Sequence, residues 1–334
     1  MNETFDIRKA FEKISSSSRT IAVLGSMNAD YTVETETLPR PGETVFGGPL
    51  QILAGGKSAN QASAAARIGA QVKLLGALGT DENADFLFST LAKAGVSMGS
   101  IARMEGKSGT TVITVDAHAE NTIVYSAGSN AKVTPDYVRS VRGTIQGAAV
   151  LGVCFESPMD SVIEAASIAH QSGVKVLLNN SPFRQELPAE IIANIDILLV
   201  NEHEISHMLH LSPPPGDDWA ELDWDVVTQR LHSLGCNQAV VTLGSQGAYV
   251  LDINGFDENC GHFWKFLKAV EVKAVDTTGC GDAFMGAILA GLTAGLSLYD
   301  SARLAVYVAG YAATGLGAQS SYGTSRQIVD LLSS

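Results

Sequence analysis

Residues 148–180 read AAVLGVCFESPMDSVIEAASIAHQSGVKVLLNN. Two short apolar runs, 148–155 and 174–180, have the length of buried strands, and the Ala-rich stretch between them has the pattern of a helix. Strand, helix, strand at this spacing is a βαβ unit, which places its two strands parallel in a sheet covered by helices. The same alternation extends in both directions. TIAVLG (20–25), VKLLGALG (72–79), IDILLVNE (195–202) and QAVVTLG (238–244) are further apolar runs, and SANQASAAARIGA (58–70) is a further Ala-rich segment. The pattern predicts an α/β fold with a mainly parallel sheet and helices on both faces. Residues 31–53 and 109–127 depart from it, showing β-rich alternation with turn residues and no helix between, and are expected to form a small separate sheet over one end of the main one. LSPPPGDDWAEL (211–222) has the composition of a surface loop. From Gly281 onward the sequence is nearly all helix-forming.

With 334 residues the chain can bury a large core, and its net charge of -13 argues against nucleic acid or an anionic membrane as the main partner. Cys154, Cys236, Cys260 and Cys280 show neither metal-ligand nor disulfide-like spacing and read as free thiols of a reducing compartment. Residues 1–19 lack an apolar core of the kind a secretory signal has and are expected to be a flexible leader, so the expected location is cytoplasmic.

In doubly wound sheets ligands lie beyond the carboxyl ends of the strands. Asn28 and Asp30 follow the first strand two residues apart, on one side of extended chain, where an amide and a carboxylate suit the vicinal hydroxyls of a sugar; a plain turn is the other reading. Gly55 and Gly56 permit close backbone approach, and Lys57 and Asn60 share one face of the helix they open, although a helix start alone also accounts for them. In DTTGCGDAF (276–284), the amides of Gly279, Cys280 and Gly281 at a helix start would form an anion site suited to phosphate. The helix dipole would keep Asp282 ionised to accept a proton from an attacking hydroxyl, whereas a simple capping role would leave the paired glycines unexplained. HEISH (203–207) matches H-E-x-x-H, which makes a zinc hydrolase through His203 and His207 a reading of a different class. The match directly follows a strand, however, and Asn201 and Glu204 beside it are oxygen donors suited to the waters of Mg²⁺.

Together GSMNAD, PGETV, GGKSANQA, FESP, NEHE, TLGSQG, AVDTTGCGDAF and GAQSS occur in the order in which they occur in the ribokinase, or PfkB, family of sugar kinases, and from about Thr20 onward the chain resembles that family. The resemblance implies a three-layer α/β/α sandwich, formed by residues 20–334, with a small β lid that also supports a homodimer. It implies Asp282 as catalytic base, with Gly279, Cys280 and Gly281 around the γ-phosphate. It further implies Asn28, Asp30, Gly56, Lys57, Asn60 and Glu156 as sugar contacts, and Thr242, Ser245 and Gly247 in the nucleotide loop. Asn201 and Glu204 would organise Mg²⁺ through water, and K⁺ would lie near Asp276, Thr278, Ala312, Gly315, Gly317 and Ser321. NAD together with GGK-x-ANQA is similar to ribokinases proper, so the expected reaction is ATP-dependent phosphorylation of D-ribose at its 5-hydroxyl. 2-Deoxyribose, another sugar or a nucleoside is the alternative acceptor. Two positions depart from the family pattern. Ser58 stands where a glycine is usual, beside the expected sugar contacts, and Cys280 where an alanine is usual.

Overall fold

The computed structural model describes residues 5–118, 120–255 and 262–332. Its strands are β1 (Thr20–Leu24), β2 (Asn28–Glu34), β3 (Gln51–Gly55), β4 (Gln71–Leu78), β5 (Ser97–Arg103), β6 (Gly109–Val115), β7 (Asn121–Ser126), β8 (Val150–Cys154), β9 (Lys175–Asn179), β10 (Ile197–Asn201), β11 (Gln238–Thr242), β12 (Gly247–Asp252) and β13 (Trp264–Lys268). The six runs expected as strands are β1, β4, β8, β9, β10 and β11, and they lie side by side and parallel within the order β13-β12-β11-β10-β9-β8-β1-β4-β5. β5 extends the sheet in parallel at one edge, and β12 and β13 close the other as antiparallel strands.

Alternate residues of these strands enter different cores. Ile21 and Val23 of β1, with Ile197 and Leu199 of β10, pack beneath the helices Lys57–Arg67, Cys280–Thr293 and Leu298–Ala312. Ala22 and Leu24, with Leu198 and Val200, pack beneath the helices Met159–Gln171 and Trp224–Ser233. Both faces of the strands are therefore dry, which is why they read as continuous apolar runs and not as alternating ones. The result is a three-layer α/β/α sandwich.

The two β-rich regions make one sheet of four strands in the order β3-β2-β6-β7, with β2 and β6 parallel and the outer pairs antiparallel. It begins at Asn28, three residues before the expected boundary, so the strand that builds the lid also carries Asn28 and Asp30.

The N-terminal segment departs from expectation. Ile7–Ser16 is a helix capped by the Asp6 carboxylate, and Ala10, Phe11 and Ile14 are buried in the core that holds the Cys280–Thr293 helix. The serines and mixed charges of this segment occupy its solvent face and give it the composition of a leader, while the three apolar residues at helical spacing fix it to the domain. We expect Ile14→Ala to lower unfolding stability by about 3 kcal/mol without altering the kinetics of the folded enzyme, as chemical denaturation and steady-state assays would show. The 211–222 loop is likewise partly anchored, because Trp219 is buried among the apolar residues of the second face. Cys154, Cys236 and Cys280 are free thiols; Cys260 lies outside the described residues. Among the described residues no helix is long and apolar enough to cross a membrane.

Candidate active site

The loop 276–279 turns into the Cys280–Thr293 helix through Gly279, whose φ of 76° lies in the left-handed region. A Cβ there would stand 2.6 Å from the Tyr322 hydroxyl, which donates to the Gly279 carbonyl at 2.9 Å, so only glycine fits this start. Gly279, Gly281 and Asp282 line a cavity of about 160 Å³ together with Lys57, Asn179, Asn201, Glu204 and Thr242. Of the three amides expected to face an anion, that of Cys280 is already engaged by the Thr277 carbonyl at 3.1 Å, so the cavity-lining glycines on either side of it are the better candidates. The Cys280 thiol, pushed up to about 11 by burial, lines a second cavity.

Asp282 is buried, and both its oxygens are held. Asn60 Nδ2 donates to Oδ2 at 2.9 Å and Gln61 Nε2 to Oδ1 at 3.1 Å. Burial raises its pKa, Lys57 and the two amides oppose the rise, and Glu156 adds to it. Desolvation thus works against the ionised state that the helix start was expected to keep. For Lys57 burial is likewise the largest influence and works against the charge, but Asp282, Glu156 and other acidic groups prevail and its pKa is raised.

Asn28 and Asp30 share a face of β2, as expected of residues two apart. Burial lifts the Asp30 carboxyl to about 6, with Thr111 opposing and Glu156 adding. Ionised Asp30 therefore costs the fold stability, a cost absent below about pH 4 and complete above about pH 6, and Asp30→Asn should stabilise the protein at pH 7.5 by at most about 3 kcal/mol. Thermal unfolding of both forms at pH 4 and 7.5 would show the gap only at the higher pH. Gly56 has a φ of 91°, and a Cβ there would press on the Ser26 carbonyl and the Asn28 amide within 3 Å. Glu156 accepts from the Lys57 amide at 2.9 Å and from the Ser26 hydroxyl, which ties the loop after β8 to the helix carrying Lys57 and Asn60. Ser58, by contrast, points away into the sheet: it is fully buried, donates to the Leu24 carbonyl at 3.1 Å and lies 3.3 Å from Cys154 Sγ. Its hydroxyl fills space beneath β1, and Ser58 lines neither of the two cavities.

Asn201 and Glu204 form a reciprocal capping box, each side chain bonded to the other's amide at 2.8 Å. The box turns β10 into the Glu202–Met208 helix and leaves Glu204 lining the smaller cavity, where burial raises its pKa. Nothing among the described residues around this short helix supports the zinc reading. His203 stands edge-on to Trp219 and His207 packs on Phe183, with ring centroids at 5.6 and 5.9 Å, and among the described residues no group of three or more His, Cys, Asp or Glu could hold a metal ion. Thr242, Ser245 and Gly247 line a larger, apolar-walled cavity of about 570 Å³ that shares Asn201, Thr242 and Gly281 with the smaller one. Asp276 accepts from the amides of Thr278 and Gly317, each at 2.8 Å, and although burial works upward, these bonds hold its carboxyl below the usual range. They draw the loop toward the turns holding Ala312, Gly315, Gly317 and Ser321. Of these, the Ala312 carbonyl accepts from the Gly315 amide at 3.2 Å and the Ser321 hydroxyl donates to the Ala318 carbonyl at 2.8 Å.

The model of the family described as pfkB family carbohydrate kinase matches residues 18–324. The chain belongs to that family. It is a phosphotransferase with an alcohol acceptor. A ribokinase of Schizosaccharomyces pombe is 36% identical to this kinase over 310 residues, 90% of this chain and 94% of that protein. A ribokinase of Haemophilus influenzae is 32% identical over 94% of this chain and 98% of its own length. The solved structure of an Arabidopsis thaliana ribokinase complexed with ribose and ATP is 28% identical and has a TM-score of 0.82, covering 94% of this chain and 98% of that one.

Some residues that build the candidate site had no role read for them in the sequence. Gln61 bonds the candidate base, and Gln319 Nε2 donates to Asn60 Oδ1 at 3.0 Å, fixing the amide that bonds Asp282. Both glutamines lie inside quoted motifs, GGKSANQA and GAQSS, and for Gln61 the available signal was its place next to Asn60, an expected sugar contact. Tyr322 and Asn130 lay outside every motif.

Proposed function

We propose that this kinase transfers the γ-phosphate of ATP to the 5-hydroxyl of D-ribose. The observation that carries the reading is the position of Asp282. It is buried and held by two amides at the wall of a small polar cavity, beside the groups proposed to bind the acceptor and continuous with the larger cavity proposed for the nucleotide. The Schizosaccharomyces and Haemophilus relatives support ribose as the acceptor, and the ligands of the Arabidopsis relative support the pairing of ribose with ATP.

On this reading Asn28, Asp30, Gly56, Lys57, Asn60 and Glu156 hold the sugar, and Asp282 takes the proton of the attacking hydroxyl as that oxygen approaches phosphorus. Gly279 and Gly281 present amides to the phosphoryl oxygens, and Lys57 adds positive charge. Thr242, Ser245 and Gly247 border the nucleotide. The oxygen donors of Asn201 and Glu204 fit a hydrated Mg²⁺, which supplies neutralisation of the phosphate charge. The all-oxygen set of Asp276, Thr278, Ala312, Gly315, Gly317 and Ser321 suits K⁺, whose charge would support the loop before the anion site. The lid would exclude water, a competing acceptor.

A homodimer through the lid is part of the proposal. Ile52, Val112 and Val124 stand in register across the lid face opposite Asp30 and are 45%, 53% and 67% exposed. An apolar strip on this face suits a second copy of the chain. Free thiols suit a reducing compartment, and the cytoplasm is the proposed location. The test is ADP formation from Mg-ATP in K⁺ buffer with D-ribose, 2-deoxyribose, fructose, adenosine or uridine. Strong turnover with ribose is expected. Preference for another acceptor would overturn the sugar assignment, and no turnover with any of them would overturn the kinase reading of the site.

A further inference from the structure

Asn130 is fully buried in the turn Gly128–Lys132 behind the lid, and its amide is committed at both ends. Oδ1 accepts from the Met27 amide at 3.1 Å, so the side chain cannot be turned over without setting an NH₂ against an N–H. Nδ2 donates to Asn28 Oδ1 at 2.8 Å and to the Tyr125 hydroxyl at 3.3 Å. With its carbonyl fixed against Asn130 in this way, Asn28 turns its NH₂ to the opposite side of the amide, as the end that can donate to a ligand. The pairing is also built into the lid: Gly109 is in register with Asn28, and a Cβ there would fall on the amides of both Asn28 and Asn130.

Tyr125 links the same amide to the lid. In β7 it is in register with Thr111, which is in register with Asp30, so Tyr125 stands on the Asp30 face of the sheet. Its hydroxyl reaches across to the Glu156 carbonyl at 3.5 Å. Met27 and Asn28 at the start of the lid, Tyr125 at its outer strand and Glu156 in the main domain are thus connected through one buried side chain.

We propose that Asn130 is a positioning residue for acceptor recognition: it locks Asn28 as a hydrogen-bond donor and, through Tyr125, couples that donor to the lid. This rests on the reading of Asn28 as an acceptor contact. Asn28 then donates where Asp30 accepts, so the pocket offers one donor and one acceptor to neighbouring hydroxyls. A sugar lacking the matching hydroxyl leaves a buried NH₂ without a partner, which is a strong basis for rejection.

The test uses the full chain. In Asn130→Asp the carboxylate cannot donate, so Asn28 reverses its amide to bond it and presents an oxygen to the sugar. KM and the calorimetric Kd for ribose should rise about tenfold, the preference in kcat/KM for ribose over 2-deoxyribose should shrink, and KM for Mg-ATP should stay unchanged. Tyr125→Phe keeps the ring and removes the hydroxyl at a side chain that is 41% exposed, so the variant should fold; its ribose KM should rise about threefold with the ATP KM again unchanged. If Asn130→Asp does not fold, Tyr125→Phe decides alone. Wild-type ribose KM and sugar preference in the folded variants, whatever happens to their melting temperatures, would overturn the inference. Failure of the underlying reading looks different: Asn28→Ala would leave the ribose KM unaltered, or the wild type would show no ribose-dependent ADP formation.

Discussion

Asp282→Asn should bind ribose and Mg-ATP with affinities near those of the wild type and lose kcat by about 10²–10⁴-fold, the usual range for removing a general base. The substitution is nearly isosteric, and the neighbourhood can accommodate it. The introduced amide keeps one oxygen for the Asn60 side chain, while its NH₂ meets Gln61, whose Oε1 is buried without a partner among the described residues and becomes available when that glutamine's amide turns over. The loss therefore reports proton acceptance and not collapse of the site. The pH dependence has a defined sign. The base works ionised and burial raises its pKa, so wild-type kcat/KM falls as pH drops through that raised value, and the residual rate of Asp282→Asn lacks this acid limb. For the same reason ionised Asp282 lowers the stability of the free enzyme, and the asparagine variant should melt higher once the pH exceeds the folded-state pKa. Near-normal kcat in this variant, with binding intact, would remove Asp282 from the role of base.

The centre of the fold was legible because its strands are buried on both faces. The inner residues of β9 and β11, 176–178 and 239–241, are apolar and buried without interruption, so each run declares itself. The edge strands carry the opposite signal. β13 reads WKFLK, with Lys268 exposed and Lys265 over the Tyr299 ring, and β5 reads SMGSIAR, with small and polar residues around Met98 and Ile101; an edge covered on one side does not need an apolar run. The site was legible where chemistry collects at strand ends: Asn28, Asp30, Asn201 and Glu204 lie there, and Lys57, Asn60 and Asp282 open helices. Its supporting bonds were not. Asn60 and Gln319 are 259 residues apart and Asn28 and Asn130 are 102 apart, and amides paired over such distances leave no periodicity or spacing to read. Ser58 was legible as a departure but not in its effect, because its partners, Leu24 and Cys154, are known only once β1 and β8 are side by side.

Lys57→Met should lower kcat at pH 7 by about 10²–10³-fold, the typical cost of removing one preorganised donor from a site where charge develops in the transition state. The backbone bond from residue 57 to Glu156 survives, so the helix start and the β8 loop stay joined. What disappears is a buried ammonium whose charge is sustained by Asp282, Glu156 and Glu204. Two consequences follow with distinct signatures. Loss of positive charge near the transferring phosphoryl group lowers the rate at every pH. Loss of the same charge near Asp282 removes the largest influence opposing the burial-driven rise of its pKa, so the base is protonated over a wider range. The acid limb of the kcat/KM profile should therefore move to higher pH in the variant, and the deficit relative to wild type should narrow as pH is raised across the range in which the enzyme is stable. A deficit that is constant across this range would confine Lys57 to phosphate binding and separate it electrostatically from the base. If the rate stayed at the wild-type value, the ammonium would have no part in the transfer, and the arrangement of Lys57 among three carboxylates would have to be explained by folding alone.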